Sequence, residues 1–468
     1  MSRSLLLQRV ELHGRLQDVR VADGLVSVVT AAGQLSRQPG EALVDGHGGA
    51  LLPGLADHHL HLLAAAASLA SLDCSAARVG DRAGLSAALR SATPGADGWV
   101  RAVGYDGQLA GPLTATTLDE LLGEGAPRLV RVQDRSGAAW SLSGAAAHAI
   151  GLQGAPHPGV ERSADGRATG RLFGADDWLR DRLPPTGTAD VATVGTLLAR
   201  YGVTAVTDAT AGLGDDAVTL LADAHAAGLL PQRLHLLGAA SAPAPLSLGP
   251  SKIMVADAAL PALDDLAARV AASHERGRPV AVHCVTREAL LLLLSALDLV
   301  GILEGDRVEH AAVVPRELMP RLRGLRVVTQ PAFLAVRGES YRRDVDPRDL
   351  PGLYPYASLL AAGVPVVPSS DAPFGPLDPW AAICAARDRR TERGTVLGAR
   401  EQVSPRTALA GLLSPVELPG APPRRVTVGG AADFCVLSCR LEEALRHPSS
   451  ELVAATVIAG DIVHTAGS

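Results

Sequence analysis

Histidines and one carboxylate stand at the ends of short strand-like segments in this sequence. His59 and His61 lie two positions apart in the run Asp57–His61. Side chains two apart on a strand face the same side, and two imidazoles on one face make a metal-binding pair. Asp57 lies two residues before His59 and therefore faces the same side of the strand, where it is expected to orient one of the two imidazoles. His58 points to the opposite side and is interpreted as structural.

Two further histidines and an aspartate follow other β-type runs. His283 follows Pro279–Val282, His310 follows Asp306–Glu309, and Asp371 closes the run that begins at Val364. Each histidine alone could be an ordinary core residue. Parallel strands that close a barrel bring their carboxyl ends to one mouth, where active sites are built, so we expect these side chains to meet.

Lys252 is the only lysine among 43 lysine and arginine residues. Burial disfavours an ammonium, and a lysine, unlike an arginine, can lose its proton inside a protein. A neutral lysine amine can add CO2 and form a carbamate that bridges two metal ions. The alternative is a lysine whose stem packs and whose head reaches water.

The pattern of elements predicts an α/β fold with three modules. Apolar segments alternate with helical ones and end near Asp57, Asp208, Leu237, Val255, His283, His310, Gln330 and Asp371. Eight such strands predict a (β/α)8 TIM-like barrel over residues 51–423. Alternating segments at both termini predict a small β-sandwich from residues 1–50 and 424–468. The gap between the first two barrel strands predicts an insertion, about 70–190, while the Pro-rich span from Leu237 to Lys252 leaves no room for a proper helix.

The motifs together resemble the amidohydrolase superfamily of metal-dependent hydrolases, and within it the branch of N-substituted formamide deformylases. The resemblance covers nearly the full length and depends on several segments: Pro53–His61, Gly202–Asp208, Val282-His283, Glu309-His310, Gly363–Pro365 and Ser370–Pro373.

The resemblance implies a set of roles for these residues. His59 and His61 would bind one divalent ion, His283 and His310 a second, and carboxylated Lys252 would bridge the two. Asp371 would ligate and act as the base. One or two ions are expected, zinc first, with manganese or iron as alternatives. The implied reaction is hydrolysis of an amide-like C–N bond (amide, formamide or carbamate) by a metal-activated water. The insertion would act as a lid, and a homo-oligomer is a family-level expectation.

Substrate contacts are expected in loops that follow strands and in the insertion, since specificity is built there. Only 3% of the residues are aromatic, so any tyrosine or tryptophan near the mouth of the barrel is a candidate for lining the substrate pocket. The candidates are Tyr105 and Trp140 in the insertion and Arg287, Gln330 and Phe333 after barrel strands.

Several other functions are weighed against this hypothesis. The same barrel could host a lactonase, a deaminase or a decarboxylase, or a non-catalytic scaffold, although all six ligand candidates are present. A net charge of −6 argues against a nucleic-acid or anionic-membrane partner, and no glycine-rich phosphate loop precedes the lysine. The five cysteines fit no disulfide framework, and no signal segment or membrane-length apolar run is found. These observations predict a cytoplasmic enzyme with a small-molecule substrate.

Overall fold

The computed structural model describes residues 4–125, 127–137, 139–184, 190–257 and 259–467. In chain order the strands are β1 (Ser4–Leu12), β2 (Arg15–Ala22), β3 (Leu25–Ala31), β4 (Ala42–Asp45), β5 (Leu51–Pro53), β6 (Leu55–Leu60), β7 (Leu72–Asp73), β8 (Trp99–Tyr105), β9 (Leu129–Asp134), β10 (Ala139–Leu142), β11 (Val160–Arg162), β12 (Ala168–Phe173), β13 (Val203–Asp208), β14 (Arg233–Leu236), β15 (Ser247–Leu248), β16 (Ser251–Ile253), β17 (Val280–Cys284), β18 (Arg307–His310), β19 (Arg326–Thr329), β20 (Val366–Pro368), β21 (Phe434–Leu437), β22 (Val453–Ile458) and β23 (Asp461–Thr465).

The α-helices are α1 (Leu62–Leu69), α2 (Ala76–Val79), α3 (Arg82–Ser91), α4 (Ala115–Leu122), α5 (Gly144–Ala149), α6 (Asp176–Arg180), α7 (Val191–Arg200), α8 (Asp215–Ala226), α9 (Leu263–His274), α10 (Arg287–Val300), α11 (Phe333–Asp344), α12 (Tyr356–Ala361), α13 (Pro379–Asp388), α14 (Pro405–Leu412) and α15 (Leu441–Arg446).

The chain forms two compact units. The first contains Met1–Leu62 and Val191–Ser468, and the second contains Leu63–Asp190. The predicted module bounds also take in residues 1–3, 126, 138, 185–189, 258 and 468, which lie outside the described residues.

Two parallel sheets form the centre of the first unit, and their alternation with helices makes the protein α/β. The strand order is β15-β14-β13-β6 in one sheet and β16-β17-β18-β19-β20 in the other. Every residue of β6 and β13 is buried, as expected for parallel strands covered on both faces. The carboxyl ends of β17 and β18 lie side by side, because His283 is in register with Glu309 and Cys284 with His310.

Three predicted strand ends differ from the structure. β6 continues past Asp57, because its ladder with β13 extends to the pair Leu60 and Asp208. β16 ends at Ile253 and does not reach Val255. β20 ends at Pro368, three residues before Asp371, and a proline supplies no N–H to continue a ladder.

The span between β14 and β16 contains no helix, as the Pro-rich sequence predicts. It forms instead the two-residue strand β15, in which Ser247 and Leu248 pair with His235 and Leu236.

The two ends of the chain form a pair of four-stranded sheets in the same unit, with orders β3-β2-β1-β4 and β23-β22-β21-β5. Leu5 and Val19 of one sheet and Phe434 and Val457 of the other belong to one buried apolar cluster. The second unit has a six-stranded sheet with the order β11-β12-β10-β9-β8-β7.

Candidate metal centre

The alternation along β6 brings the first two predicted ligands to Asp371. His59 Nε2 lies 3.5 Å and His61 Nε2 lies 3.2 Å from Asp371 Oδ1, and the two imidazole centroids are 5.5 Å apart. His58 is buried on the other side of the strand, where its Nε2 lies 3.1 Å from the Gly411 carbonyl oxygen. His58 is therefore part of the packing, as its parity predicts.

The ends of β17 and β18 bring two further imidazoles to the same place. The His310 ring centroid is 4.9 Å from that of His59 and 4.5 Å from that of His283. His59, His310 and Asp371 each offer a ligand atom, and these atoms all lie within 4.8 Å of one another. The set is mostly buried, which reduces competition from water.

The backbone is strained at two of these positions. His310 has φ 71° and Asp371 has φ 51°, both in the left-handed region that side chains rarely adopt. Such residues cost of order 1–3 kcal/mol each and persist only where surrounding contacts enforce them, commonly at functional sites.

Hydrogen bonds to Nδ1 orient three of the imidazoles. His59 Nδ1 contacts the Glu309 carboxylate, His61 Nδ1 lies 3.1 Å from Thr210 Oγ1, and His310 Nδ1 lies 2.7 Å from Gln330 Oε1. The Gln330 amide is oriented by its own donation to Ser369 Oγ at 2.9 Å. We assign the Nδ1 proton of His59 and His310 to these acceptors, which leaves the Nε2 lone pairs free for a metal.

Burial keeps the imidazoles of His59, His283 and His310 neutral, which a metal ligand requires. It lowers the pKa of His59 to about 4, that of His310 to about 3 and that of His283 to about 2, and the nearby Lys252 charge contributes to all three shifts. Burial alone would raise the pKa of Asp371, but the imidazoles of His59 and His61 outweigh burial and hold the pKa below its usual range. Asp371 is therefore a carboxylate at neutral pH.

Lys252 lies on β16, in register with Ala281 of β17. Lys252 as a whole is partly exposed to solvent. Its Nζ, however, is buried and has no hydrogen-bond partner among the described residues. Burial lowers its pKa, against the opposing influence of the Glu309 and Asp371 carboxylates. Lys252 is close enough to the cluster to shift the pKa of His59, His283 and His310.

The residues fit a divalent metal ion. Asp371 Oδ1 and Lys252 Nζ are buried polar atoms without hydrogen-bond partners in the described part of the chain, and leaving such atoms unsatisfied is costly. Neutral imidazoles with a carboxylate are the donor set that zinc and similar ions prefer. A metal ion at this cluster would satisfy Asp371 Oδ1 directly.

Glu309 is a functional candidate that the sequence reasoning did not select. Its carboxylate contacts His59 Nδ1 and accepts a 2.6 Å hydrogen bond from Arg307 Nε, with all three side chains almost fully buried. The signal was its position directly before His310, on a strand where residues two apart, Arg307 and Glu309, share a face.

Asp57 does not orient an imidazole ring, contrary to the expectation from its parity. Its Oδ1 instead accepts hydrogen bonds from the backbone N–H groups of His59 and Ser370, both at 3.2 Å. Asp57 therefore joins the two backbone segments that carry His59 and Asp371. Burial raises its pKa to about 6.

The predicted substrate contacts occupy different environments. Gln330 is buried and holds His310. Phe333 is buried under the Arg337 guanidinium, and Arg287 pairs with Asp349. In the second unit, Tyr105 donates to the Gly111 carbonyl oxygen at 2.5 Å, and Trp140 is buried in that unit's core. Their contact with a substrate stays a prediction.

No helix in the described ranges has both the length and the apolar character needed to cross a bilayer.

Known proteins resemble this chain over most of its length. The model of a family described as "Amidohydrolase family" matches residues 42–464. A Bacillus subtilis (strain 168) protein named as an amidohydrolase, YtcJ, is 26% identical over 438 residues, covering 82% of each chain.

Solved structures share the fold. An uncharacterized metal-dependent hydrolase from Pyrococcus horikoshii OT3 aligns with a TM-score of 0.73 at 18% identity, covering 93% of this chain and 97% of the other. N-isopropylammelide isopropylaminohydrolase from Burkholderia multivorans ATCC 17616 aligns with a TM-score of 0.52 at 16% identity, covering 99% of each. The chain belongs to the amidohydrolase family, and this membership supports an enzyme that acts on carbon–nitrogen bonds.

Proposed function

We propose that the protein hydrolyses an amide-like C–N bond (amide, formamide or carbamate) of a small molecule at a metal centre built on His59, His61, His283, His310 and Asp371. The observation that carries the proposal is the convergence of His59, His310 and Asp371 within 4.8 Å, with the imidazoles neutral. The name of the Burkholderia neighbour describes hydrolysis at an isopropylamino group, which supports C–N chemistry on this fold.

We infer that eight of the nine strands in the two parallel sheets, all except the two-residue β15, close into a (β/α)8 barrel. Hydrogen bonds support closure at the two places where the edges of the sheets would meet. Near β20 and β6, Asp371 N–H donates to the His59 carbonyl oxygen at 2.8 Å. Near β16 and β14, Lys252 N–H donates to the Leu237 carbonyl oxygen at 3.3 Å. The shared core of the two terminal sheets supports the β-sandwich in the same way.

One or two divalent ions, zinc first, fit the donor set, and Lys252 as a carbamate would bridge two. Bound metal would polarise the scissile carbonyl and lower the pKa of water to roughly 7. His59 and His310 would hold the metal through Nε2, and Glu309 and Gln330 would keep those rings oriented.

Asp371 moves the proton. Its ionised carboxylate accepts a proton as the oxygen of water bonds to the carbonyl carbon, and returns it to the nitrogen as the C–N bond breaks. The products are a carboxylic acid and an amine, or, from a carbamate ester, an amine and a carbonic half-ester that breaks down to CO2 and an alcohol. Tyr105, Trp140, Arg287, Gln330 and Phe333 remain the proposed substrate contacts.

The first test is metal content per chain by elemental analysis on protein purified without chelator, together with turnover of an amide, formamide and carbamate panel. Two ions per chain would support the bridged centre and make Lys252 carboxylation the next thing to determine by crystallography. One ion would keep the hydrolase proposal and remove the bridge. No ion after incubation with zinc or manganese would contradict the proposed function.

A further inference from the structure

Two arginines of the second unit place their guanidinium groups over the same indole ring. Arg101 of β8 and Arg131 of β9 are direct neighbours in the parallel register of that unit's sheet. Their guanidinium carbons lie 5.4 Å and 5.3 Å from the centroid of the Trp140 ring. Two like charges are therefore held side by side against one aromatic side chain.

Both cations lack an anionic partner within the described residues. Arg131 is 8% exposed, and its buried Nε has no hydrogen-bond partner there. Arg101 donates to the neutral Ser71 Oγ at 2.5 Å. Neither forms an ion pair with a described carboxylate, and burying charges without compensation costs several kcal/mol per ion in general.

Two carboxylates act on these cations through space without pairing with them: the Asp176 charge opposes the lowering of the Arg101 pKa, and the Asp97 charge opposes that of the Arg131 pKa. Asp176 Oδ1 accepts the Trp140 indole N–H at 2.8 Å, and Asp97 Oδ1 accepts the Trp99 backbone N–H at 2.9 Å. Burial, with the neighbouring Arg131 charge, lowers the pKa of Arg101 to about 10, so Arg101 remains charged at neutral pH. Burial lowers the pKa of Arg131 as well, and a guanidinium stays protonated in proteins. Trp140 and the two arginines thus form a cationic site that makes no direct ion pair with a carboxylate of the described residues.

We propose that Arg101 and Arg131 bind the carboxylate of a small organic anion, with the Trp140 ring against its apolar body. A guanidinium presents two parallel N–H donors that match a carboxylate, and such charge-assisted bonds are stronger than neutral ones. An indole beside them offers a large apolar surface. The proposal concerns the second unit alone and does not depend on the proposed hydrolysis.

The test is calorimetric titration at low ionic strength with benzoate, its neutral analogue benzamide, and inorganic phosphate, before and after treatment with a chelator. We expect one saturable benzoate site per chain, with benzamide and phosphate at least about tenfold weaker. Arg101→Gln and Arg131→Gln should each weaken benzoate at least about tenfold, because each removes a charged donor. Arg167→Gln, an exposed arginine of the same unit, is the matched control and should change nothing.

Four results would overturn the proposal: no saturation up to about 10 mM benzoate, benzoate affinity in both glutamine variants equal to that of the unmodified protein, loss of binding on chelation, or phosphate binding as tightly as benzoate. Loss on chelation would assign the anion to the metal centre. Circular dichroism will show whether Arg131→Gln folds. If it does not, benzoate affinity is compared between the unmodified protein, Arg101→Gln and Arg131→Lys, which keeps the charge. Unchanged benzoate affinity in both variants contradicts the proposal.

Discussion

Asp371 is the residue on which the proposed proton transfer depends. Replacing it by asparagine keeps the shape but removes the charge that accepts the proton, so Asp371→Asn should lower kcat about 10²–10⁴-fold. Metal content should stay near that of the unmodified protein, because the histidines remain. Steady-state kinetics with elemental analysis on the same sample measures both. The control is Asp344→Asn, an exposed carboxylate paired with Arg343; full activity in Asp371→Asn would show that another group is the base.

Glu309 should act through His59 without touching substrate. Glu309→Gln removes the negative charge behind His59 Nδ1 and leaves the buried Arg307 without its counter-ion. Metal affinity should fall about 10–100-fold, and the free energy of unfolding should fall by about 3–5 kcal/mol. Competition with a chromogenic chelator and urea denaturation measure the two effects. The exposed Glu317→Gln is the matched control, and unchanged metal affinity in Glu309→Gln would refute the positioning role.

Local spacing could place candidate ligands, but it could not identify their partners. The two-residue period of a strand puts His59 and His61 on one side, and position after a β-type run selects His310 and Asp371. Glu309 and Gln330 hold His59 and His310 across distances of 250 and 20 residues along the chain. Such pairings depend on the strand order of the folded sheet, which one sequence does not contain.

At the scale of the elements, the position of β6 depends on close packing between Gly54, the residue directly before it, and the neighbouring strand β13. A Cβ on Gly54 would lie 2.1 Å from Thr204 Cγ2 of β13, closer than packing permits. Gly54→Ala should therefore push β6 away from β13, lowering the free energy of unfolding by about 1–3 kcal/mol and weakening metal binding through His59 and His61. Denaturation and metal titration would show this. Gly352→Ala, where a Cβ meets open space, should change neither; equal behaviour of both variants would contradict the argument.

The sequence predicted which segments form strands and helices more accurately than it predicted the residues at which those elements end. The alternation of apolar and helical segments predicted the α/β class, and each predicted barrel strand corresponds to a parallel strand in the structure. The ends of β6, β16 and β20 differed because hydrogen-bond ladders with neighbours, and the proline that closes β20, decide where a strand stops. Apolar patterning records burial, which extends beyond the ladder, as at Val255.

At the scale of the whole molecule, two buried neutral histidines should make stability depend on pH. Burial lowers the pKa of His58 to about 3, and the same cause, with nearby arginine charges, lowers that of His235 to about 3. The unfolded chain gains these protons near pH 6.5, whereas the folded chain gains them only near pH 3. Protonation therefore favours unfolding, and stability should fall as pH drops through this window, by at most about 1.4 kcal/mol per pH unit for each histidine.

His235 allows this pH dependence to be tested away from the proposed metal ligands, since its Nδ1 bonds Ser247 Oγ at 2.8 Å. Asparagine keeps a polar group near Nδ1 but cannot gain the proton, so His235→Asn should show a shallower loss of stability between pH 6.5 and pH 3. The measurement is the free energy of unfolding from urea titrations across that range, compared by slope because the smaller side chain also lowers stability at pH 8. His447→Asn, an exposed histidine, should keep the original slope. Parallel slopes for His235→Asn and the unmodified protein would mean that His235 is protonated in the folded protein, and that acid sensitivity originates elsewhere.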